Sequence, residues 1–333
     1  MNMKKAFASV LAGAMILSMA ACGDSDAASS AAASAPAPAA SGDTYTVGIC
    51  QLVEHVALDA ATQGFQDALV DQLGDSVEFN VQNAQNDTNT CSTIINGFVS
   101  SDVDLILANA TPALQAAAAG TNEIPILGTS ITEYGVALEI ENFSGTVGGN
   151  ISGTSDLAPL DEQAAMLNEW FPDAKNVGLL YCSAEANSQY QVDVVSAELT
   201  KLGYTCTPYA FSDSNDLSAV CTSAVAASDV IYVPTDNTVA SNTGIIDNIC
   251  RPAGVPVVAG EEGICAGCGV ATLSISYYDL GYTTGQMAAK ILTGEADIAE
   301  MPIEYAPATP KFNETICTDL NLTAPEGYVA IEQ

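Results

Sequence analysis

Between residues 44 and 259, short apolar runs alternate with longer segments of helical periodicity, and the scheme runs through twice. The first pass predicts strands over 46–50, 77–82, 104–108 and 125–129, with helices over 57–73, 89–99 and 112–119. The second predicts strands over 177–181, 205–209, 230–234 and 255–259, with helices over 160–170, 188–202, 217–227 and 239–250. Short strands separated by helices are βαβ units, and these build parallel sheets. Local punctuation agrees: Gly203 follows one helix and Pro172 stops another. The roughly 290 residues from Thr44 onward exceed what one core supports. Two α/β lobes of similar plan are therefore expected, with residues 147–156 as a first crossing. The tail is too short for a third lobe. Its helix, 280–292, should return to the first lobe and its last strand to the second. The expected bodies are 44–155 with 278–306, and 156–277 with 307–333.

The start of the chain is of another kind. Lys4 and Lys5 precede a small, apolar stretch that ends in Met19-Ala20-Ala21-Cys22. A charged start, an apolar run short of a bilayer span and a small-residue cleavage site read as an export signal over 1–21. A cysteine after the small pair looks like a lipobox, with Cys22 acylated and tied to membrane lipid. Residues 22–43, almost entirely Ala, Ser, Pro, Gly and Asp, read as a flexible spacer. The body is thus expected outside the cytoplasm, lipid-anchored to the cell membrane.

Charge narrows the partners. The chain has 40 acidic residues against 7 basic ones. That balance repels phosphate backbones, so no nucleic acid is expected, and it disfavours recruitment to anionic lipid by charge. Beyond Cys22 there are nine cysteines, an odd number that cannot pair fully within one chain. Several, such as Cys50 and Cys182, sit in apolar runs, where a free thiol acts as a small hydrophobe. Cys265-Ala-Gly-Cys268 lacks two further ligands for zinc, so a local disulfide or two thiols are expected there.

In open α/β sheets, ligands bind beyond the carboxyl ends of the strands, and two facing sheets line a cleft with those ends. The loops there supply the candidates. Thr111, Ser130, Thr132 and Ser188 carry hydroxyls at or near helix starts, suited to a carboxylate. Asp236 and Glu261, with Asp156 behind them, suit an ammonium group. Glu54 and Glu185, in the loops after the first strand and after the strand over 177–181, complete the set. Each of these residue types also serves in caps and turns, and the loop set persuades more than any member. The inventory suits a small zwitterion.

Signatures of catalysis are absent. His55 is the sole histidine, with no G-x-S-x-G elbow beside it. Neither a dinucleotide fingerprint nor a P-loop occurs, and the Gly-rich run 260–269 lacks Lys and Arg. An extracytoplasmic enzyme would have to depend on His55. No cofactor is expected.

Four runs carry a family resemblance: Gln51-Leu52-Val53-Glu54-His55-Val56-Ala57-Leu58-Asp59, Asn83-Ala84-Gln85-Asn86-Asp87, Val233-Pro234-Thr235-Asp236-Asn237-Thr238 and Tyr277-Tyr278-Asp279-Leu280-Gly281-Tyr282. They resemble ABC-transporter substrate-binding lipoproteins related to tryptophan/tyrosine-binding proteins, in order from Thr44 to about Lys311. The resemblance implies a type I periplasmic-binding fold, with two Rossmann-like lobes joined by a three-stranded hinge. It also implies a monomer that closes on an amino acid, aromatic by preference (Trp, Tyr or Phe), and presents it to an ABC permease. Leu52, Val53, Tyr134, Tyr190 and Tyr278 are candidates for an apolar slot. The chain departs from typical members in its many cysteines and in the loop 131–135. A sensor domain signalling to a membrane receptor is the alternative with the same fold and anchor.

Overall fold

The computed structural model describes residues 44–332. The leader, Cys22 and the spacer lie outside them. In chain order the elements are β1 (Tyr45–Gln51), α1 (Val56–Leu73), β2 (Val77–Asn83), α2 (Thr88–Ser100), β3 (Leu105–Asn109), α3 (Thr111–Gly120), β4 (Ile126–Ile131), α4 (Tyr134–Ala137) and β5 (Ile151–Ser155). There follow α5 (Leu160–Trp170), β6 (Asn176–Cys182), α6 (Ala186–Lys201), β7 (Thr205–Phe211), α7 (Ser214–Val225), β8 (Val230–Val233), α8 (Asn237–Ala240), α9 (Thr243–Ala253) and β9 (Val257–Ala259). The last are α10 (Glu262–Cys268), β10 (Ala271–Ser274), α11 (Tyr277–Leu292), β11 (Glu304–Tyr305), β12 (Thr309–Phe312), α12 (Glu314–Asp319) and β13 (Val329–Ala330).

Two sheets result. One has the order β11-β5-β4-β3-β1-β2 and is parallel throughout. The other has the order β13-β12-β10-β9-β8-β6-β7, parallel except where β12 runs against β10. Parallel strands are covered on both faces, which is why β3 (LILAN), β4 (ILGTSI) and β8 (VIYV) are buried at every position. The chain passes between the sheets three times: after β5, between β10 and α11, and between β11 and β12.

The return of α11 to the first sheet depends on close backbone approach. A Cβ added at Gly281 would lie 2.0 Å from the Ala61 carbonyl oxygen, and one at Gly64 would lie 2.1 Å from the Tyr278 carbonyl oxygen. Only hydrogen at both positions lets α1 and α11 meet this tightly. The cores are apolar on both faces of each sheet. Phe65, Leu69 and Met287 pack on one side of the first sheet, and Phe98, Ile95 and Leu114 on the other.

Three readings of the sequence need correction. The predicted helix over 239–250 is two helices, α8 and α9, broken where Asn242 Nδ2 donates to the Thr238 carbonyl at 2.8 Å. The Gly-rich run contains α10, capped by the Glu261 side chain and anchored in the core by Ile264, Cys265 and Cys268. Tyr134 belongs to the core, because its hydroxyl donates to the Gly128 and Thr154 carbonyls, each at 3.1 Å. All nine cysteines of the described residues are free thiols, eight of them buried. Among those residues no helix is long and apolar enough to cross a membrane.

Candidate functional site

The carboxyl ends of the strands from both sheets enclose a small cavity of about 10 Å³. His55 and Leu58 enter from the turn into α1, and Ser130 and Thr132 from the end of β4. Asp156 stands at the first crossing and Tyr277 at the second. The second sheet contributes Asn187, Thr235, Asp236, Asn237, Ala240 and Glu261. Ser130 is held at φ +57°, where the β4–β5 register shifts between Gly128 and Ile131. An irregularity of this kind re-aims a side chain, and a non-glycine residue in this region is strained.

The acidic side chains are tightly engaged. Asp236 accepts from the Val239 N–H at 2.9 Å and, through its other oxygen, from the Cys182 N–H at 2.7 Å. Glu261 caps α10 by accepting from the N–H groups of Gly263 (2.6 Å) and Ile264. Asp156 accepts from the Tyr277 hydroxyl at 2.9 Å, which ties the first crossing to the second. Burial pushes Asp156 up to about 6 and Glu261 up to about 7. Burial first, and the neighbouring Glu185 charge second, push Asp236 up to about 8. All three shifts arise because a charged form deep inside the protein has lost its water.

Glu185 lies behind the wall. One of its oxygens accepts from Thr238 N–H (2.9 Å) and Thr238 Oγ1 (2.8 Å). The other accepts from Asn237 N–H (3.0 Å) and Asn237 Nδ2 (2.7 Å). It thereby fixes both residues that reach across the cleft. Asn237 Oδ1 lies 3.2 Å from His55 Nε2, and Thr238 Oγ1 accepts from Asn86 Nδ2 at 3.0 Å. Since Asn237 Nδ2 faces Glu185, its oxygen must accept, so His55 carries its proton on Nε2. Burial holds the His55 imidazole below its ordinary pKa.

Six buried side-chain atoms among the described residues lack a hydrogen-bond partner, and three of them belong to this cavity: Ser130 Oγ, Asp156 Oδ1 and Asn187 Oδ1. Buried polar groups are seldom left so. No Lys or Arg lines the cavity; Lys311, Arg251 and Lys201 are each paired with acids elsewhere.

Of the nine residues expected to bind, Ser130, Thr132, Asp156, Asp236 and Glu261 line the cavity. Glu185 supports it from behind, and Ser188 is buried beside Asn187. Thr111 is buried at the start of α3, away from the lining, and Glu54 is exposed in an open surface depression with Gln51 and Asp59. None of the five residues proposed for an apolar slot lines the cavity. Leu52 and Val53 pack in the core with Tyr134, Tyr190 packs on the second lobe's core, and Tyr278 flanks an outer groove. The reading missed His55 as a cross-cleft donor, and also Asn187, Thr235, Asn237 and Tyr277. Four of these five stand in the quoted motif runs, and Asn187 in a strand-end loop.

A family model described as ABC transporter substrate binding protein matches residues 46–331. The chain belongs to this family. Proteins of the family work outside the cytoplasm with an ABC transporter. A tyrosine-binding protein of Clostridioides difficile (strain R20291) is 35% identical over 307 residues, covering 90% of this chain and 87% of its own. An ABC domain from Streptococcus pneumonia in complex with L-Trp matches with a TM-score of 0.82 at 29% identity, over 87% of this chain and all of that one. A ligand-free, open substrate-binding protein with adhesive properties from Clostridium difficile is 37% identical over the same shares, yet its TM-score is 0.66. The lobes of this family member therefore stand closer to their arrangement in the L-Trp complex than to the open form.

Proposed function

We propose that this substrate-binding protein holds one small amino acid-like molecule, aromatic by preference, in the cavity between its lobes and delivers it unchanged to an ABC permease. The observation that carries the reading is the set of three unpartnered polar atoms, Ser130 Oγ, Asp156 Oδ1 and Asn187 Oδ1, inside a closed inter-lobe cavity. Such atoms are costly to bury unless a ligand completes them. At about 10 Å³ the shut cavity is close to the size of a single water, so the lobes must part to admit an amino acid. The aromatic preference is supported by the names of the relatives that bind tyrosine and L-Trp. The cavity itself offers only Leu58, Ala240 and the Tyr277 ring as apolar wall.

The two lobes touch the ligand together only when shut, so closure supplies much of the affinity. His55 spends its Nε2 proton on Asn237, a contact that latches the lobes. We read the protein as a non-catalytic monomer, anchored through acylated Cys22. Titration calorimetry of the purified chain against the twenty amino acids tests the proposal. One-to-one binding of Tyr, Trp or Phe is expected, and silence with all three removes the aromatic version.

A further inference from the structure

We propose that Cys221 and Cys250 are the two halves of a disulfide that staples the second lobe when the chain folds outside the cytoplasm. The staple is independent of what the cavity binds.

Cys221 lies in α7 and Cys250 in α9, 29 positions further along the chain. Their sulfurs are 3.7 Å apart, in van der Waals contact, and both side chains are buried (0% and 1% exposed). A disulfide needs about 2.0 Å between its sulfurs. The remaining gap of about 1.7 Å is of the size that turns of about 30° at the two Cα–Cβ bonds close. Cys268, a third thiol in the same core, is engaged elsewhere, donating to the Ile264 carbonyl of its own helix at 3.3 Å.

The two helices are lightly fastened. α9 follows the break at Asn242, carries Pro252 and buries only two side chains, Ile246 and Cys250. α7 buries only Leu217, Cys221 and Ala224. Each cysteine is thus a large part of what holds its helix to the lobe, and helical stability in proteins comes mostly from such packing. The loop that the bond closes contains β8 and α8, and with them Thr235, Asp236 and Asn237 of the cavity wall. Joining its ends removes conformational freedom from the unfolded chain, which stabilises the folded one.

The reaction needs a disulfide-bearing oxidant. The two thiols give up two protons and two electrons as their S–S bond forms, and the oxidant's own S–S bond is cleaved to two thiols. Exchange starts from a thiolate. The adjoining Cys221 thiol, and burial after it, push Cys250 up, so the finished core offers little thiolate. The bond therefore forms during folding, before α7 and α9 close over the sulfurs.

The test refolds the purified full chain from denaturant at about pH 8, with glutathione disulfide and glutathione in one arm and dithiothreitol in the other. Free thiols are then alkylated and the peptides mapped by mass spectrometry. The expected result is a cross-linked peptide joining Cys221 to Cys250 in the first arm alone, and a melting temperature about 4–8 °C above that of the reduced arm. Cys221→Ala should form no such link and lose most of the oxidant-dependent rise, and Cys250→Ala serves as the same control from the other helix. Absence of the Cys221–Cys250 peptide from the refolded, oxidised chain would overturn the inference. So would a link that leaves the melting temperature unchanged, or a rise that survives intact in either variant.

Discussion

Glu185 is the side chain whose removal should be most informative, because it touches no ligand and yet organises one lip of the cleft. Its two oxygens accept four hydrogen bonds of 2.7–3.0 Å from Asn237 and Thr238, in a setting that is 4% exposed. Glu185→Gln keeps the shape and one accepting oxygen, but turns an N–H₂ group toward two donors. Two hydrogen bonds to a charged group are lost, at about 1.5–3 kcal/mol each. The change also removes a negative charge from beside Asp236. Since burial outweighs that charge in raising Asp236, the relief is worth on the order of 1 kcal/mol. The net cost is therefore about 2–5 kcal/mol. At roughly 2 °C per kcal/mol for a chain this size, the ligand-free protein should melt about 4–10 °C lower.

Affinity should fall as well. Asn237 and Thr238 make the bonds that cross to His55 and Asn86, so a loosened α8 weakens the latch. Thermal unfolding and calorimetry on the same preparation read both effects. A third readout separates this account from simple core damage: the carboxyl titration of Asp236, followed by NMR, should move down from about 8 once its charged neighbour is gone. A variant that loses less than 1 °C, binds as before and leaves Asp236 in place would refute the reasoning.

Three further outcomes are expected. His55→Ala deletes one cross-cleft hydrogen bond worth about 1 kcal/mol, so ligand binding should weaken roughly fivefold while the bound molecule is still recovered unchanged; turnover that vanished with the variant would instead mark an enzyme. Gly281→Ala would drive a methyl into the Ala61 carbonyl and should cost about 1–3 kcal/mol in chemical denaturation, whereas Gly97→Ala, with nothing within 4 Å, should be neutral or gain up to about 1 kcal/mol. The ligand-free protein should lose stability as pH rises from 5 to 8.5, because Asp156, Glu261 and Asp236 keep their protons to about 6, 7 and 8 when folded but release them near 4 when unfolded. Glu185 and Glu262 reinforce this trend through their charge, and His55, held low by burial, opposes it only around its ordinary range. A melting temperature that is flat or rising over that interval would contradict the burial of these acids.

Much of the architecture was legible because parallel strands buried on both faces leave continuous apolar runs, as in Leu105–Asn109 and Val230–Val233. The helix α10 was hidden because its two glycines read as loop, while its actual support is a long-range fit of Ile264, Cys265 and Cys268 into the core. Strand ends pointed to the right loops, and from these Asp156, Asp236 and Glu261 could be picked as acids near a cleft. Which loop residue faces inward could not be read, since it depends on the twist and stagger of each strand end. Glu54 turns outward while His55, the next residue, turns in. Tyr134 shows the same limit: an aromatic residue beside the ligand loop reads as a ligand wall until its hydroxyl is seen tied to two core carbonyls.

The raised acids and the closed lobes bear on each other. In an open cleft Asp156, Asp236 and Glu261 would regain water, and the part of their upward shift that comes from burial would shrink. Shutting the lobes strips that water from them, and each then needs a positive partner, either a bound proton or a cation on the ligand. Closure without ligand must therefore take up protons near neutral pH, whereas closure on an ammonium-bearing molecule need not. Ligand and protons compete for the same buried charges, so affinity for such a molecule should strengthen as pH rises through the range where these acids titrate. That coupling sets loaded closure apart from empty closure. A receptor that presents only its shut form to a transporter would thereby avoid offering an empty cavity at neutral and alkaline pH.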